Sequence, residues 1–254
     1  MSKLLIGVIH LPPLPGSPRA WPLAQTLAQV SRDARALADA GFDRVMVENF
    51  GDAPFFAERV PPVTVAAMTA CLLAAREAGA AIGVNVLRND VESALSIAAC
   101  VGAVCVRVNV HIGARVTDQG LVQGRAAETL RLRRALGADH VAIWADVDVK
   151  HSAPLGPRPI EGEVADAVDR GLADAVLVTG SGTGHAVDMA TLAAVRRATA
   201  APVYVASGVD HGSVASILAG CDGAIVGSAL RVGGKAGGPI DAALAESFMR
   251  RARP

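Results

Sequence analysis

Aromatic side chains are scarce in this chain, with five phenylalanines, two tryptophans and one tyrosine in 254 residues. Its core must therefore be filled by Ala, Val, Leu and Ile, and a hydrophobic content of 52% is enough to bury a large one. Net charge is also missing, since 24 Lys and Arg stand against 24 Asp and Glu. A neutral chain poor in rings has neither the electrostatic footprint nor the stacking platforms of a nucleic-acid binder, so nucleic acid is excluded as a partner. Cysteine is sparse: Cys71, Cys100, Cys105 and Cys221 form no C-x-x-C pair and lie in Ala- and Val-rich stretches, where a buried thiol acts as a small hydrophobe. This argues against a disulfide framework or a zinc site and points to a reducing, cytoplasmic setting. No apolar run approaches the ~18 residues of a membrane span, so integral membrane association is not expected. The opening run Leu4–Ile9 has the look of a short signal core, but prolines follow it rather than a small-residue cleavage site.

What is present is an alternation. Short β-branched runs recur at Leu4–His10, Arg44–Asn49, Ala81–Leu87, Val104–Val110, Val141–Val149, Ala175–Thr179, Val203–Ser207 and Ala224–Val226. Their near-continuous hydrophobicity is that of parallel strands covered on both faces. Between them lie Ala-, Leu- and Arg-rich segments with helical spacing: Leu23–Ala40, Val63–Ala78, Val91–Ala99, Ala126–Leu136, Gly162–Arg170, Met189–Ala198, Ser213–Ala219 and Ile240–Arg250. Gly41, Gly79, Gly137 and Gly171 stand at four versions of one helix-stop, strand-start phrase, where glycine accepts the left-handed conformation. Without a break in composition, this pattern predicts an α/β chain forming one (β/α)8 (TIM) barrel domain over residues 1–254. An open doubly wound sheet is the alternative, and it needs fewer strands or a second domain.

In a (β/α)8 barrel, chemistry collects at the C-terminal ends of the strands. The eight runs end at His10, at Glu48-Asn49, at Asn85, at Arg107 and Asn109, at Asp146 through His151, at Thr179-Gly180-Ser181, at Ser207-Gly208 and at Gly227-Ser228. The opposite ends carry nothing comparable. On the fifth run Trp144, Asp146, Asp148 and Lys150 share parity, so they are expected on one face. Asp146 and Asp148 there suit proton transfer or a divalent cation, although no cofactor is required. The plainer reading is that Asp146 only neutralises Arg107 inside the barrel. Lys150 beside two aspartates should stay charged, which makes it an oxyanion stabiliser and a poor amine nucleophile for a Schiff base.

Gly180-Ser181-Gly182-Thr183-Gly184 lacks the spacing of a nucleotide-binding loop, but its backbone can approach an anion or form a lid, with His185 at its end. Ser207-Gly208 and Gly227-Ser228, after strands seven and eight, match the place where such barrels bind phosphate. Glu48 suits a general base and His10 a proton shuttle. Asn49, Asn85, Arg107, Asn109, Thr179, Ser181 and Gly182 suit hydrogen bonds to a polyhydroxylated ligand. The loop Ile112–Gly124, with Arg115, Asp118 and Gln123, is long enough for a lid.

The stretch from Gly7 to Pro18, GVIHLPPLPGSP, together with VMVENFGD at Val45–Asp52, DVDVKHS at Asp146–Ser152 and VGSAL at Val226–Leu230, resembles the BtpA/SgcQ family. The likeness spans essentially the whole chain and implies a TIM-barrel-like fold. One branch of that family is named for photosystem I biogenesis as a peripheral thylakoid protein, and another occurs with sugar-uptake and sugar-phosphate genes. Two readings follow. The first is an enzyme acting on a small phosphorylated sugar or nucleoside-like metabolite by isomerase, lyase or glycosidic-cleavage chemistry. In it Asp146, Asp148, Lys150, Glu48 and His10 are catalytic, and Ser207, Gly208, Gly227 and Ser228 hold phosphate. The second is a non-catalytic biogenesis factor that binds a protein or membrane partner. The Ala-rich helical exterior suits a homo-oligomer in either case.

Overall fold

The computed structural model describes residues 3–180, 182 and 186–253. Its strands are β1 (Leu4–His10), β2 (Arg44–Glu48), β3 (Ala81–Asn85), β4 (Cys105–Val108), β5 (Ala114–Thr117), β6 (Gly120–Gln123), β7 (Ala142–Val147), β8 (Ser152–Pro154), β9 (Ala175–Val178), β10 (Val203–Val205) and β11 (Gly223–Val226). The helices are α1 (Leu23–Asp39), α2 (Pro62–Arg76), α3 (Val91–Val101), α4 (Ala126–Ala135), α5 (Ile160–Ala165), α6 (Met189–Ala198), α7 (Val214–Gly220) and α8 (Ala242–Ala252). Eight parallel strands close into a barrel in the order β1-β11-β10-β9-β7-β4-β3-β2, with a helix after each. The (β/α)8 expectation holds.

Strand alternation divides the apolar residues between two cores. One parity faces inward and fills the barrel with Ile6, Val8, Met46, Cys105, Trp144, Leu177, Tyr204 and Ile225. The other parity, with Leu5, Val45, Ile82, Val106, Ile143 and Val176, packs against the helices. The longer helices α1, α2 and α3 supply a matching stripe. On α1, Thr26, Gln29, Val30, Asp33, Ala34 and Leu37 are buried, a spacing of three and four that draws one face. Asp90 caps α3 by accepting the Ser93 N–H at 3.0 Å. The inward parity turns polar at the C-terminal end of the barrel. There His10, Glu48 and Asn85 pair in register along β1, β2 and β3.

Two features depart from the sequence expectation. Gly41, Gly79 and Gly137 do take positive φ (90°, 88° and 64°), but Gly171 has φ −83° and the left-handed residue is Leu172, at φ 51°. A π-type turn over Asp166–Arg170 interrupts the expected helix and shifts the reversal by one residue. Gly171 is needed for close approach instead, since a Cβ there would lie 2.7 Å from the Ala167 carbonyl oxygen. The long loop after β4 is not irregular either. It folds as the hairpin β5–β6, which pairs antiparallel with β8 to form a three-stranded sheet over the barrel mouth.

Candidate active site

His10, Glu48, Arg107 and Lys150 line one cavity of about 210 Å³ at the C-terminal mouth, together with Ser207, Gly208, Gly227 and Ser228. β10 and β11 are neighbours, so the two small-residue segments that follow them sit side by side. Asp210 also borders this cavity, but its carboxylate is occupied by the N–H groups of Gly212 and Ser213 and the Ser213 hydroxyl.

The protonation of His10 follows from its contacts. The Gly237 N–H donates to Nδ1 at 3.0 Å, so a neutral ring carries its hydrogen on Nε2. Burial, then the charges of Arg231, Lys150 and Arg107, hold the imidazole well below its ordinary pKa. His10 is therefore a neutral donor through Nε2. Phe50 stacks on it at a centroid distance of 4.4 Å, and a Cβ on Gly227 would come within 3.1 Å of its Cε1. The ring is thus held from both sides.

Glu48 lies close to two donors without bonding either. Its oxygens are 3.9 Å from His10 Nε2 and 3.8 Å from Arg107 Nη1, and among the described residues its carboxylate accepts no hydrogen bond. Asp146 is the opposite case. Arg107 grips it in a fork of two 3.0 Å hydrogen bonds, Asn109 Nδ2 adds a third at 2.5 Å, and its side chain has no exposed surface.

Other expected site residues are used within the protein. Asn49 ties the ends of β2 and β3 by accepting the Leu87 N–H at 2.7 Å and donating to Asp52 at 3.1 Å. Asn85 donates to the Arg107 carbonyl at 3.2 Å, and the Thr179 hydroxyl accepts the Lys150 N–H at 3.1 Å. The Gly182 carbonyl accepts the Ser207 hydroxyl at 3.2 Å. Ser181 and His185 lie outside the described residues.

The shared face expected of Asp146, Asp148 and Lys150 does not form. β7 ends at Val147, and Asp148 takes φ 47°, which breaks the alternation. Its side chain, 62% exposed, pairs with Arg115, and the Asp148 N–H donates to Glu163 at 3.2 Å. Asp148 lines a 180 Å³ cavity with Asp146, Arg115 and Glu163, apart from the one that holds His10 and Glu48. Both aspartates are engaged there by arginines, and among the described residues no cluster of three His, Cys, Asp or Glu could hold a metal. The turn also removes one carboxylate from Lys150 and leaves Arg107 and Arg88 near it. Burial and then Arg107 push Lys150 below the ordinary lysine range, while Glu48 and Asp146 act the other way.

Sequence reasoning missed Phe50, Arg88 and Arg231. Arg231 is buried and donates to the carbonyls of Gly227 (2.6 Å), Val8 (2.9 Å) and Gly238 (3.0 Å), clamping the segment that carries Gly237. All three lie in irregular segments, where neither strand nor helix periodicity marks a side chain's direction.

The model of the BtpA family matches residues 1–254. The chain belongs to the BtpA family. A photosystem I biogenesis protein BtpA from Synechocystis sp. is 43% identical over 249 residues, covering 96% of this chain and 86% of that protein. Among solved structures, thiamine phosphate pyrophosphorylase from Pyrococcus furiosus superposes with a TM-score of 0.60 at 14% identity, covering 98% and 95% of the two chains. Phosphoribosyl anthranilate isomerase from Thermus thermophilus gives 0.59 at 14%, covering 98% and 97%. At such identities these structures are similar in fold alone. No helix among the described residues is long and apolar enough to cross a membrane.

Proposed function

We propose that this BtpA-family barrel is an enzyme that moves protons on a small phosphorylated sugar-type metabolite. The observation that carries the reading is the cavity in which a carboxylate with no hydrogen bond among the described residues (Glu48), a neutral imidazole donor (His10) and the Lys150 side chain share the lining with Ser207-Gly208 and Gly227-Ser228. In this reading the phosphate lies against the small-residue wall, where no side chain blocks the backbone N–H groups. Glu48 takes and returns the proton, His10 Nε2–H polarises the oxygen of the reacting carbon, and Lys150 stabilises the negative charge that develops there. Asp146 aims Arg107 and does not itself act. With one free carboxylate at the cavity, isomerisation fits better than glycosidic cleavage, which ordinarily uses two. The names of the two structural neighbours, one for a thiamine phosphate and one for a phosphoribosyl compound, agree with a phosphorylated ligand.

Thermal-shift titration with inorganic phosphate, ribose 5-phosphate and glucose 6-phosphate tests it. A bound ligand raises the melting temperature, and Gly227→Asp, which adds a negative charge and displaces His10, is expected to remove the shift. If no phosphorylated sugar stabilises the wild type, the reading fails. The name of the Synechocystis relative supports a second reading, a biogenesis factor with a protein partner. It would gain if Gly227→Asp kept every cellular role of the wild type.

A further inference from the structure

The 210 Å³ cavity is not the end of the mouth. Glu48, Arg107 and Lys150 also border a second chamber of about 890 Å³ on the β1–β2 side. The two spaces therefore meet along the row of groups assigned to the chemistry. The walls of the large chamber have a different character, formed by Trp21, Phe50, Phe55, Leu87 and the prolines that follow β1. In a chain with only two tryptophans and five phenylalanines, this chamber takes one and two of them. The cores take Phe42, Phe248, Trp144 and Tyr204 and are otherwise aliphatic, so the chamber is the one other place among the described residues where aromatic rings gather.

The walls are rigid where it matters. Pro12, Pro13 and Pro15 restrict the backbone, and the loop is bolted by Leu14 N–H to Asp52 (2.7 Å), Gly51 N–H to the Leu11 carbonyl (3.0 Å) and Trp21 N–H to the Pro13 carbonyl (2.8 Å). Gly51 is required there, because a Cβ would lie 2.4 Å from the Pro13 nitrogen. Trp21 is 47% exposed, so its ring is offered to the chamber and to solvent rather than to the core. Polar and charged residues also border the chamber, among them Arg19, Gln29, Asp118 and Arg88. Arg88, with only 6% of its surface exposed, lines the chamber and donates through Nη2 to the Lys150 carbonyl at 2.6 Å. Among the described residues its Nε and Nη1 have no hydrogen-bond partner. A buried guanidinium with open donors calls for an acceptor.

We infer that the substrate carries, at the end opposite its phosphate, a flat heteroaromatic ring of nucleobase size with hydrogen-bond acceptors. The ring sits among Trp21, Phe50 and Phe55 with an acceptor toward Arg88, so that the sugar spans Glu48, Arg107 and Lys150. A chamber of this volume and mostly apolar lining is suited to a ring, and it would leave a bare sugar phosphate mostly in contact with carbon. Stacking on aromatic faces provides affinity for a flat heteroaromatic ring because such a ring presents a π-face.

The inference rests on the phosphate reading above, and one titration series separates the two. The probes are ribose 5-phosphate, uridine and adenosine 5′-monophosphates, and uridine and adenosine, measured by calorimetry on the wild type, Trp21→Ala and Phe55→Ala. The expected result is that at least one monophosphate binds at least tenfold more tightly than ribose 5-phosphate and than its own nucleoside. Each variant should cut the preference over ribose 5-phosphate at least threefold, while Trp21→Phe restores it. If ribose 5-phosphate binds as tightly as both monophosphates, the ring is overturned and the phosphate reading stands. A preference that survives both alanine variants also overturns the ring's placement. Nucleosides binding as tightly as their monophosphates overturn the requirement for phosphate. If none of the phosphorylated probes binds, both proposals fall.

Discussion

Asp146 and Glu48 both project from barrel strands toward the same mouth, and the protein treats them in opposite ways. Asp146 accepts three hydrogen bonds from Arg107 and Asn109, whereas Glu48 stands 3.8–3.9 Å from Arg107 and His10 with no hydrogen bond among the described residues. The first arrangement is that of a positioning group, because the Asp146 oxygens are engaged in holding Arg107 and Asn109 and its side chain has no exposed surface. The second has unmet capacity, which a native protein keeps where a ligand supplies the missing partner. The difference separates the frame of the mouth from its working surface.

The sharpest way to break this contrast is to remove Asp146. Asp146→Ala leaves the Arg107 guanidinium buried and unpaired, so chemical denaturation should show a loss of about 3–5 kcal/mol. Arg231 belongs to the same frame. Arg231→Met strips three backbone carbonyls of their donor and should cost roughly 2–4 kcal/mol by the same measurement, with weaker sugar phosphate binding because Gly237 no longer holds His10.

Asp33 on α1 is an intermediate case, buried and accepting the Ile240 N–H at 3.0 Å, with no ion pair among the described residues. Burial pushes its pKa up to about 6 from 3.8. A carboxyl whose folded-state pKa is raised favours the fold while protonated, and that contribution is lost as pH rises through about 6. Asp33→Asn should therefore stabilise the protein by roughly 1–3 kcal/mol at pH 8 and change it little at pH 4. An equal effect at both pH values would show that the carboxylate's charge is not responsible. The smallest effect is expected at Glu48, where Glu48→Gln should stay within about 1 kcal/mol of the wild type. If it costs as much as Asp146→Ala, Glu48 belongs to the frame and the proposed chemistry loses its base.

The legible part of the site lies on strands. His10, Glu48, Asn85, Arg107, Asp146 and Gly227 were all found at strand ends, because a two-residue alternation read from the apolar positions also orients the polar residue that follows. The reading failed one step beyond β7. Asp148 was extrapolated along the same parity, but its positive φ turned it to Arg115, and the charge environment of Lys150 changed with it. Occupancy was half legible: the pairing of Asp146 with Arg107 is the plainer reading of the sequence and is what the structure holds. That Glu48 has no hydrogen bond among the described residues depends on distances the sequence does not carry. The hairpin β5–β6 escaped notice because it is completed by β8, some thirty residues along the chain, and a pairing at that distance leaves no local periodicity.

The sequence by itself determined the barrel and the end of it that carries polar groups. Both follow from repeated local patterns: hydrophobic runs of strand length, helical stripes between them, and residues that stop each element. Only the tertiary structure decided that Glu48 has no hydrogen bond among the described residues, which nitrogen of His10 carries the hydrogen, and that the mouth divides into a small-residue cavity and an aromatic chamber. Those properties depend on distances between residues tens to hundreds of positions apart and on loops with no period to read. They exist only once the chain has closed on itself.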